Sequence, residues 1–457
     1  MVVGREVWPK RIQRSRGTDD LSEDVLEIIF SYLPIKSAVQ MGVLSSRFSN
    51  SWVYCQNLDF GKNFARGRST EDFTRIVDQV LNLHLGSKVC TFQLFFDPRQ
   101  KIRQVEEWIR FAVKKGVEEV DIDFSPGKNL NLIPDFLLDC GSLKVLRLNF
   151  CEFLRPSFSF NGLLSLTTLS LTRVGITDNI IQSVFNSCLL LENLDLNKCL
   201  GIRNLGISAK NLRRFKVLKV TDCYNLSLLY IDAPTLQSLH YSGKVRRFIF
   251  SSSTLNLKYA MLNFSASMSK GIEENLYMRN LPFYLAHVNS LTVTSIFLQG
   301  LSPKYVDGEF RAIQIRLYNL KEFQLLMEKS SYCNPFDIVI FLKNCPFLER
   351  IIIDLKGFSF HCGYYWELYG KKPLVQLDCK FHNLKSVKLK GFKFEECELL
   401  LLKFVLEKAI VLEDLSLVPD YKNRKTCAAM IQMYHQLFLS WCASAKTKIV
   451  ISENQKD

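Results

Sequence analysis

From Val89 onward the chain repeats one pattern, apolar-x-x-apolar-x-apolar. It starts at Val89, Val117, Leu143, Leu166, Leu191, Phe215, Leu236, Leu257, Val288, Leu320, Leu348, Leu384 and Leu412. The clearest copies are Leu143-Lys-Val-Leu-Arg-Leu-Asn-Phe-Cys151, Leu191-Glu-Asn-Leu-Asp-Leu-Asn-Lys-Cys199 and Phe215-Lys-Val-Leu-Lys-Val-Thr-Asp-Cys223. Alternation of apolar and polar residues predicts a short strand in each unit, with the leucines on one side. No unit of this size can bury its leucines alone. The units therefore stack, strand beside parallel strand, and a returning segment closes each turn. Between Leu143 and Leu257 successive starts lie 21 to 25 residues apart, and from Val288 onward 28 to 36 apart.

That period, with cysteine as the ninth residue, is the leucine-rich-repeat signature. The returning segments differ along the chain. Val105, Trp108, Ile109, Ala112 and Val113 share a helical face, and Ile176 to Phe185 reads as a second helix. Asn204 to Lys210, with Gly206, reads as irregular, and Ile231-Asp-Ala-Pro234 as a tight turn. Met268 to Asn280 reads as a helix, and Gly357 to Pro373 as an inserted loop. Ahead of the repeats, residues 61–85 form a linker and a helix that Thr70 caps, with Phe73, Ile76, Val77, Val80 and Leu81 on one face.

The stretch Leu21 to Trp52 has a different pattern. Leu21, Val25, Leu26, Ile28, Ile29 and Leu33 fall at helical spacing, with Ser22 as a plausible N-cap. Pro34 ends this helix and opens a second one carrying Val39, Val43 and Leu44; Ser45 caps a third with Phe48 and Trp52. Three short helices cannot cover all of their apolar faces with one another, so some of that surface must meet another part of the chain or another protein. The punctuation Leu21-Ser22, Glu23-Asp24, Val25-Leu26, Ile29-Phe30-Ser31-Tyr32-Leu33-Pro34, Lys36, Ala38-Val39, Leu44-Ser45-Ser46-Arg47-Phe48 and Trp52 resembles the F-box of plant F-box proteins. Ser22 stands where the family has proline and Phe48 where it has tryptophan. The resemblance implies docking on a Skp-type adaptor, and through it on a cullin. Residues 18–60 form this module, and the expected adaptor contacts are Leu21, Ser22, Leu26, Ile29, Leu33, Pro34, Val39 and Leu44.

Residues 376–457 carry a second resemblance, to the FBD segment that closes many plant F-box/leucine-rich-repeat proteins. Its residues are His382-Asn-Leu-Lys-Ser-Val-Lys-Leu-Lys-Gly-Phe392, a helix Glu396–Ala409, Val411-Leu-Glu-Asp-Leu-Ser-Leu-Val418, a helix from Thr426 to about Trp441, and the strand Lys448 to Ser452. The fold class expected is α/β: a three-helix F-box, then a curved leucine-rich-repeat solenoid over residues 86–375 with a parallel concave sheet, then an α/β cap.

Composition changes this picture little. The formal net charge is +14, spread along the chain, with a short basic leader within residues 1–17. A generally basic surface is the plain explanation; RNA or another anionic partner is the alternative. No apolar run has the length of a membrane span. Fourteen cysteines without an export signal imply reduced thiols, in the nucleus or cytoplasm. No Cys-x-x-Cys occurs, and His84, His240, His287, His361, His382 and His435 lack metal-site spacing. Nor is there a Gly-x-Ser-x-Gly elbow or a dinucleotide glycine fingerprint. The expectation is a chain without cofactor or catalysis of its own.

A partner would meet the residues that alternate with the leucines. That outward set includes Glu119, Asp121, Asp123, Arg147, Asn149, Ser170, Arg350, Lys388 and Lys390. Its expected centre for holding a target is Arg147, Asn193, Asp195, Asn197, Lys219, Thr221 and His240.

Overall fold

The computed structural model of the protein describes residues 23–44, 51–153, 160, 162–251, 254–265, 272–301, 304–306, 309–311, 316–329, 331–360, 379–420 and 424–451. The basic leader, Leu21, Ser22, Ser45, Phe48, His361 and Cys362 lie outside these residues, as do the side chains of Leu26 and Leu44. The chain divides into two compact units, residues 1–128 and 129–457.

The first unit begins with the helices Glu23–Tyr32 and Ile35–Leu44, a 3-10 turn Ser51–Tyr54 and the strand Asn57–Phe60. Cys55 Sγ donates to Leu33 O at 3.0 Å and Asn57 Nδ2 donates to Tyr32 O at 2.9 Å, so the helix end is fixed to the strand. The strands Asn57–Phe60, Thr91–Phe95 and Glu119–Asp123 pair in parallel. The helices Thr70–Leu83 and Ile102–Lys114 return the chain between them. Ser69, not Thr70, is the cap: its side chain accepts from Asp72 N at 3.1 Å. Phe73, Phe96 and Trp108 fill the core with ring centroids 5.0 to 6.2 Å apart, and Trp108 Nε1 is satisfied by Asp78 at 2.7 Å.

The second unit is a ladder of parallel strands: Val145–Asn149, Thr168–Thr172, Asn193–Asn197, Val217–Thr221, Ser238–Lys244, Tyr259–Ser265, Ser290–Thr294, Glu322–Leu326, Arg350–Asp354, Ser386–Phe392, Asp414–Pro419 and Lys448–Ile451. In both units every repeat start named from sequence lies two residues before its strand and is buried. Apart from a shift between Lys390 and Phe392, register is kept along the ladder: Leu146, Leu169, Leu194, Leu218, Leu239, Ala260, Leu291, Phe323, Ile351, Val387 and Leu415 form one buried row that ends at half-buried Ile449. A slip of one residue would turn the whole row outward, which is why the pattern specifies register so strongly.

The returning segments depart from expectation. Asn204–Ser208 is a strand, not an irregular connector, and Ile231-Asp232 ends another, Leu228–Asp232. With Arg247–Phe250 they form a separate parallel sheet. The physical cause is reach. A strand advances about 3.3 Å per residue and a helix about 1.5 Å, so the shortest repeats cross back only in extended form. The longer later intervals hold the helices Ile272–Tyr284, Ser295–Leu301, Pro335–Lys343, Glu396–Lys408 and Arg424–Trp441. Asn334 opens one of them in a capping box with Asp337. The cysteines follow the ladder: Cys151, Cys199 and Cys223 are buried free thiols. Burial pushes Cys188 up to about 12. Cys397 departs from the expected reduced thiols, being disulfide-bonded.

Candidate functional site

Two surfaces have the character of interaction sites, one in each unit. In the first unit, the helical pair turns Phe30, Ile35 and Ala38 inward and leaves Val25, Ile28, Ile29, Tyr32 and Val39 exposed. Tyr32 is 77% and Ile28 58% exposed. Each helix has only ten residues, too few to bury an apolar stripe on both sides. Of the expected adaptor contacts, Ile29, Val39 and Pro34 are exposed and Leu33 is half-buried. The placement also adds Val25, Ile28 and Tyr32 to this face. Their helical spacing from Ile29 was visible in the sequence; which side turned inward was not.

In the second unit the outward face is polar and ordered in rows. Register partners run Arg147, Ser170, Asp195, Lys219, His240 along one row and Asn149, Thr172, Asn197, Thr221, Ser242 along another. The candidate target-binding residues are therefore gathered on one face, and Asn193 occupies the neighbouring row beside Thr168 and Val217. Asn193 Nδ2 donates to Thr168 Oγ1 at 3.2 Å, and His240 Nε2 lies 2.9 Å from Ser238 Oγ. Lys219 and Arg147 are exposed; the others are half-buried. Burial raises the Asp195 carboxyl above the usual carboxylate range, against the pull of Lys219 and His240. Burial, and then Lys219, hold His240 below its ordinary value. Asn197 Oδ1 is buried and accepts no hydrogen bond.

The outward rule fails at some strand ends, two of them polar residues of the parallel ladders. Asp123, expected outward, is buried, where it meets Lys62 Nζ at 3.3 Å and accepts from Ser125 N at 2.9 Å. Thr294 is also buried, donating to Phe264 O at 2.9 Å. Both hydrogen-bond where their strands end.

Sequence reasoning also missed a row just beyond the strands. Phe150, Arg173, Lys198 and Asp222 have φ of 61°, 51°, 54° and 50°. This left-handed conformation costs a non-glycine residue about 1 kcal/mol. It turns each strand off the sheet while keeping one more ladder bond: Phe150 N donates to Thr172 O, Arg173 N to Asn197 O, Lys198 N to Thr221 O and Asp222 N to Ser242 O, at 2.7 to 2.9 Å. The turn buries the next residue: Cys151, Val174, Cys199 or Cys223. It also places the exposed Arg173 and Lys198 at the border of the polar face. A cysteine at the ninth position was the signal for this turn.

Among the described residues no group of three or more His, Cys, Asp or Glu is placed to hold a metal ion. No described helix is long and apolar enough to cross a membrane.

A ladder of leucine-rich repeats preceded by an apolar helical pair defines the class: a leucine-rich-repeat protein with an F-box near its amino end. The F-box domain model matches residues 19–59. The chain belongs to the At1g61320/AtMIF1 leucine-rich-repeat family, whose domain model matches residues 80–452. It is similar to the Arabidopsis thaliana FBD-associated F-box protein At1g61320, at 32% identity over 422 residues, covering 91% of each chain. The Arabidopsis thaliana F-box protein At1g61330 is 33% identical over 420 residues, covering 89% of this chain and 92% of its own. The F-box/FBD/LRR-repeat protein At1g78750 of the same plant is 24% identical over 447 residues, covering 91% and 93%.

Proposed function

We propose that this chain is the substrate-recognition subunit of an SCF-type ubiquitin ligase. The F-box docks on a Skp-type adaptor, and through it on a cullin, while the ladder holds a target protein for ubiquitination and degradation. The chain performs no chemistry; it raises the target's effective concentration beside the ubiquitin-charged enzyme. The observation that carries this reading is the exposed set Val25, Ile28, Ile29, Tyr32 and Val39 on helices of the F-box match. An apolar patch of this kind on a short helical pair marks a protein-interaction site. The polar rows around Asp195, Lys219 and Asn197 supply donors, acceptors and both charges for a target segment. The site of action is the nucleus or cytoplasm, where the adaptor is present.

The test is an adaptor pull-down with the full chain. Leu21→Ala combined with Leu26→Ala should abolish capture, since truncated interface anchors cost about 2 kcal/mol or more each. Ser22→Pro, which restores the family residue, should leave capture equal or tighter. Undiminished capture by the double alanine variant would overturn the proposal.

A further inference from the structure

The ninth repeat position carries sulfur on two neighbouring rungs. Cys199 follows the strand Asn193–Asn197 and Cys223 follows Val217–Thr221, each one residue beyond a left-handed turn. Those strands pair with Asn197 beside Thr221, and Lys198 N donates to Thr221 O at 2.8 Å just ahead of the cysteines. The two residues therefore stand side by side, with Cα atoms about 4.8 Å apart, the spacing of neighbouring strands. A disulfide spans Cα separations of about 4.4 to 6.8 Å. Cys151 holds the same repeat position, but the rung of Val174 lies between it and Cys199. That separation, about 9.6 Å, is beyond a disulfide's reach.

The two sulfurs differ in their surroundings. Cys199 is fully buried, and its Sγ donates to Leu171 O at 3.4 Å. Cys223 is 7% exposed. The rung after it does not turn: the strand Ser238–Lys244 runs on through the ninth position, where Lys244 is exposed. A hydrogen bond from the Cys199 thiol holds Cys223 below its ordinary value, and against its burial the backbone N–H groups of Cys199 and Lys198 act in the same sense. The same hydrogen bond, together with burial, pushes Cys199 well up. Cys223 thus has the thiolate character and the opening to solvent that distinguish a reactive cysteine from an inert buried one.

We infer that Cys199 and Cys223 form a redox modification site, which hydrogen peroxide converts to a disulfide. The Cys223 sulfur attacks one peroxide oxygen, the O–O bond breaks and hydroxide leaves, giving a sulfenic acid at Cys223. The Cys199 sulfur then attacks the Cys223 sulfur. The S–S bond forms, the S–O bond breaks and a second hydroxide leaves. The two thiol protons turn both hydroxides into water, and two electrons pass from the sulfurs to the peroxide. The bond ties together the rungs that carry Asp195 and Lys219. It stands whether or not the adaptor reading does.

The probe is hydrogen peroxide, added to the full chain after reduction with dithiothreitol and removal of the reductant. Remaining thiols are alkylated in denaturant, and the digest is read by mass spectrometry. A linked pair holding Cys199 and Cys223, two hydrogens lighter than the separate peptides, should appear and should vanish on renewed reduction. Cys151 should stay alkylated. In urea, where register is lost, the link should lose its preference over links to Cys151. In Cys199→Ser, dimedone should trap a sulfenic acid at Cys223. In Cys223→Ser, Cys199 should stay alkylated wherever the parent links. Full alkylation of Cys199 and Cys223 after peroxide would overturn the inference, as would Cys151 linked in place of either. If a serine variant melts early, the unaltered chain with and without urea decides alone.

Discussion

The F-box helices and the repeat ladder put apolar residues to opposite use. In the helix Glu23–Tyr32, Ile28, Ile29 and Tyr32 face solvent, and Phe30 alone among the residues with described burial is buried. In the strand Asn193–Asn197, Leu194 and Leu196 are buried and Asn193, Asp195 and Asn197 turn outward. The geometry of each element explains the difference. A strand between two others shows one face to the core and one to the outside, and a two-residue period sorts the side chains cleanly. A ten-residue helix has a continuous surface, and its two neighbours cover only part of it. In the function proposed above, the apolar remainder serves as a docking face for one kind of partner. The polar face of the ladder can vary without disturbing the core beneath it. One part of the molecule is suited to a constant attachment, the other to a variable one.

The largest effect should come from crossing the ladder's boundary. Leu196→Asp buries an unpaired carboxylate at a fully buried position and should cost about 4 kcal/mol, unfolding neighbouring repeats. Circular dichroism melts would show it. An unchanged melting curve would mean that the leucines do not carry the core. Changes on the polar side of the same strand should act quite differently. Asp195→Lys with Lys219→Glu should leave the melt within about 0.5 kcal/mol of the parent and adaptor capture intact, because both side chains sit on the outward row. Target half-life in the same cells should lengthen several-fold, by the loss of about 1 kcal/mol or more of target affinity. Degradation at the normal rate would place target recognition elsewhere.

A smaller effect tests the C-terminal segment. Glu398 is buried at the start of the helix Glu396–Lys408, accepting from Lys393 N at 2.7 Å and Glu395 N at 3.4 Å, while its Oε1 has no partner. Burial pushes its carboxyl up to about 7. The folded state therefore binds this proton more tightly than the unfolded chain, and stability is lost as pH rises from the ordinary carboxylate range through about 7. Glu398→Gln keeps the acceptor and removes the charge. It should melt higher than the parent at pH 8 and close to it at pH 5. Parallel melting curves across that range would show that the carboxyl is not held neutral.

Much of this was legible in the sequence. Period two located every ladder strand that follows a repeat start from Val89 to Leu412, because a buried leucine tolerates no slip of register. The helix Ile102–Lys114 was equally plain from Val105, Trp108, Ile109 and Ala112. The sheet of Asn204–Ser208, Leu228–Asp232 and Arg247–Phe250 was not, because Gly206 and Pro234 read as breakers and only repeat length forces extension there. The helix Pro335–Lys343 was also missed, although Asn334-Pro335 followed by Asp337 is a readable start. For the candidate sites, the sequence located Asp195, Lys219 and His240 on one face. It missed Arg173 and Lys198, whose position depends on a left-handed turn. It also missed Ile28 and Tyr32, because helical periodicity does not say which face a neighbour covers.

The central claim is that the exposed apolar face of the F-box helices is an adaptor-docking surface. The most direct measurement is the affinity of the full chain for a Skp-type adaptor, compared with Ile28→Asp combined with Tyr32→Asp. Both residues are exposed, so the variant should melt with the parent, within about 0.5 kcal/mol. It should nonetheless lose adaptor binding by a factor of about 100 or more, through burial of charge in an apolar contact. Equal affinity of parent and variant for the adaptor would contradict the account.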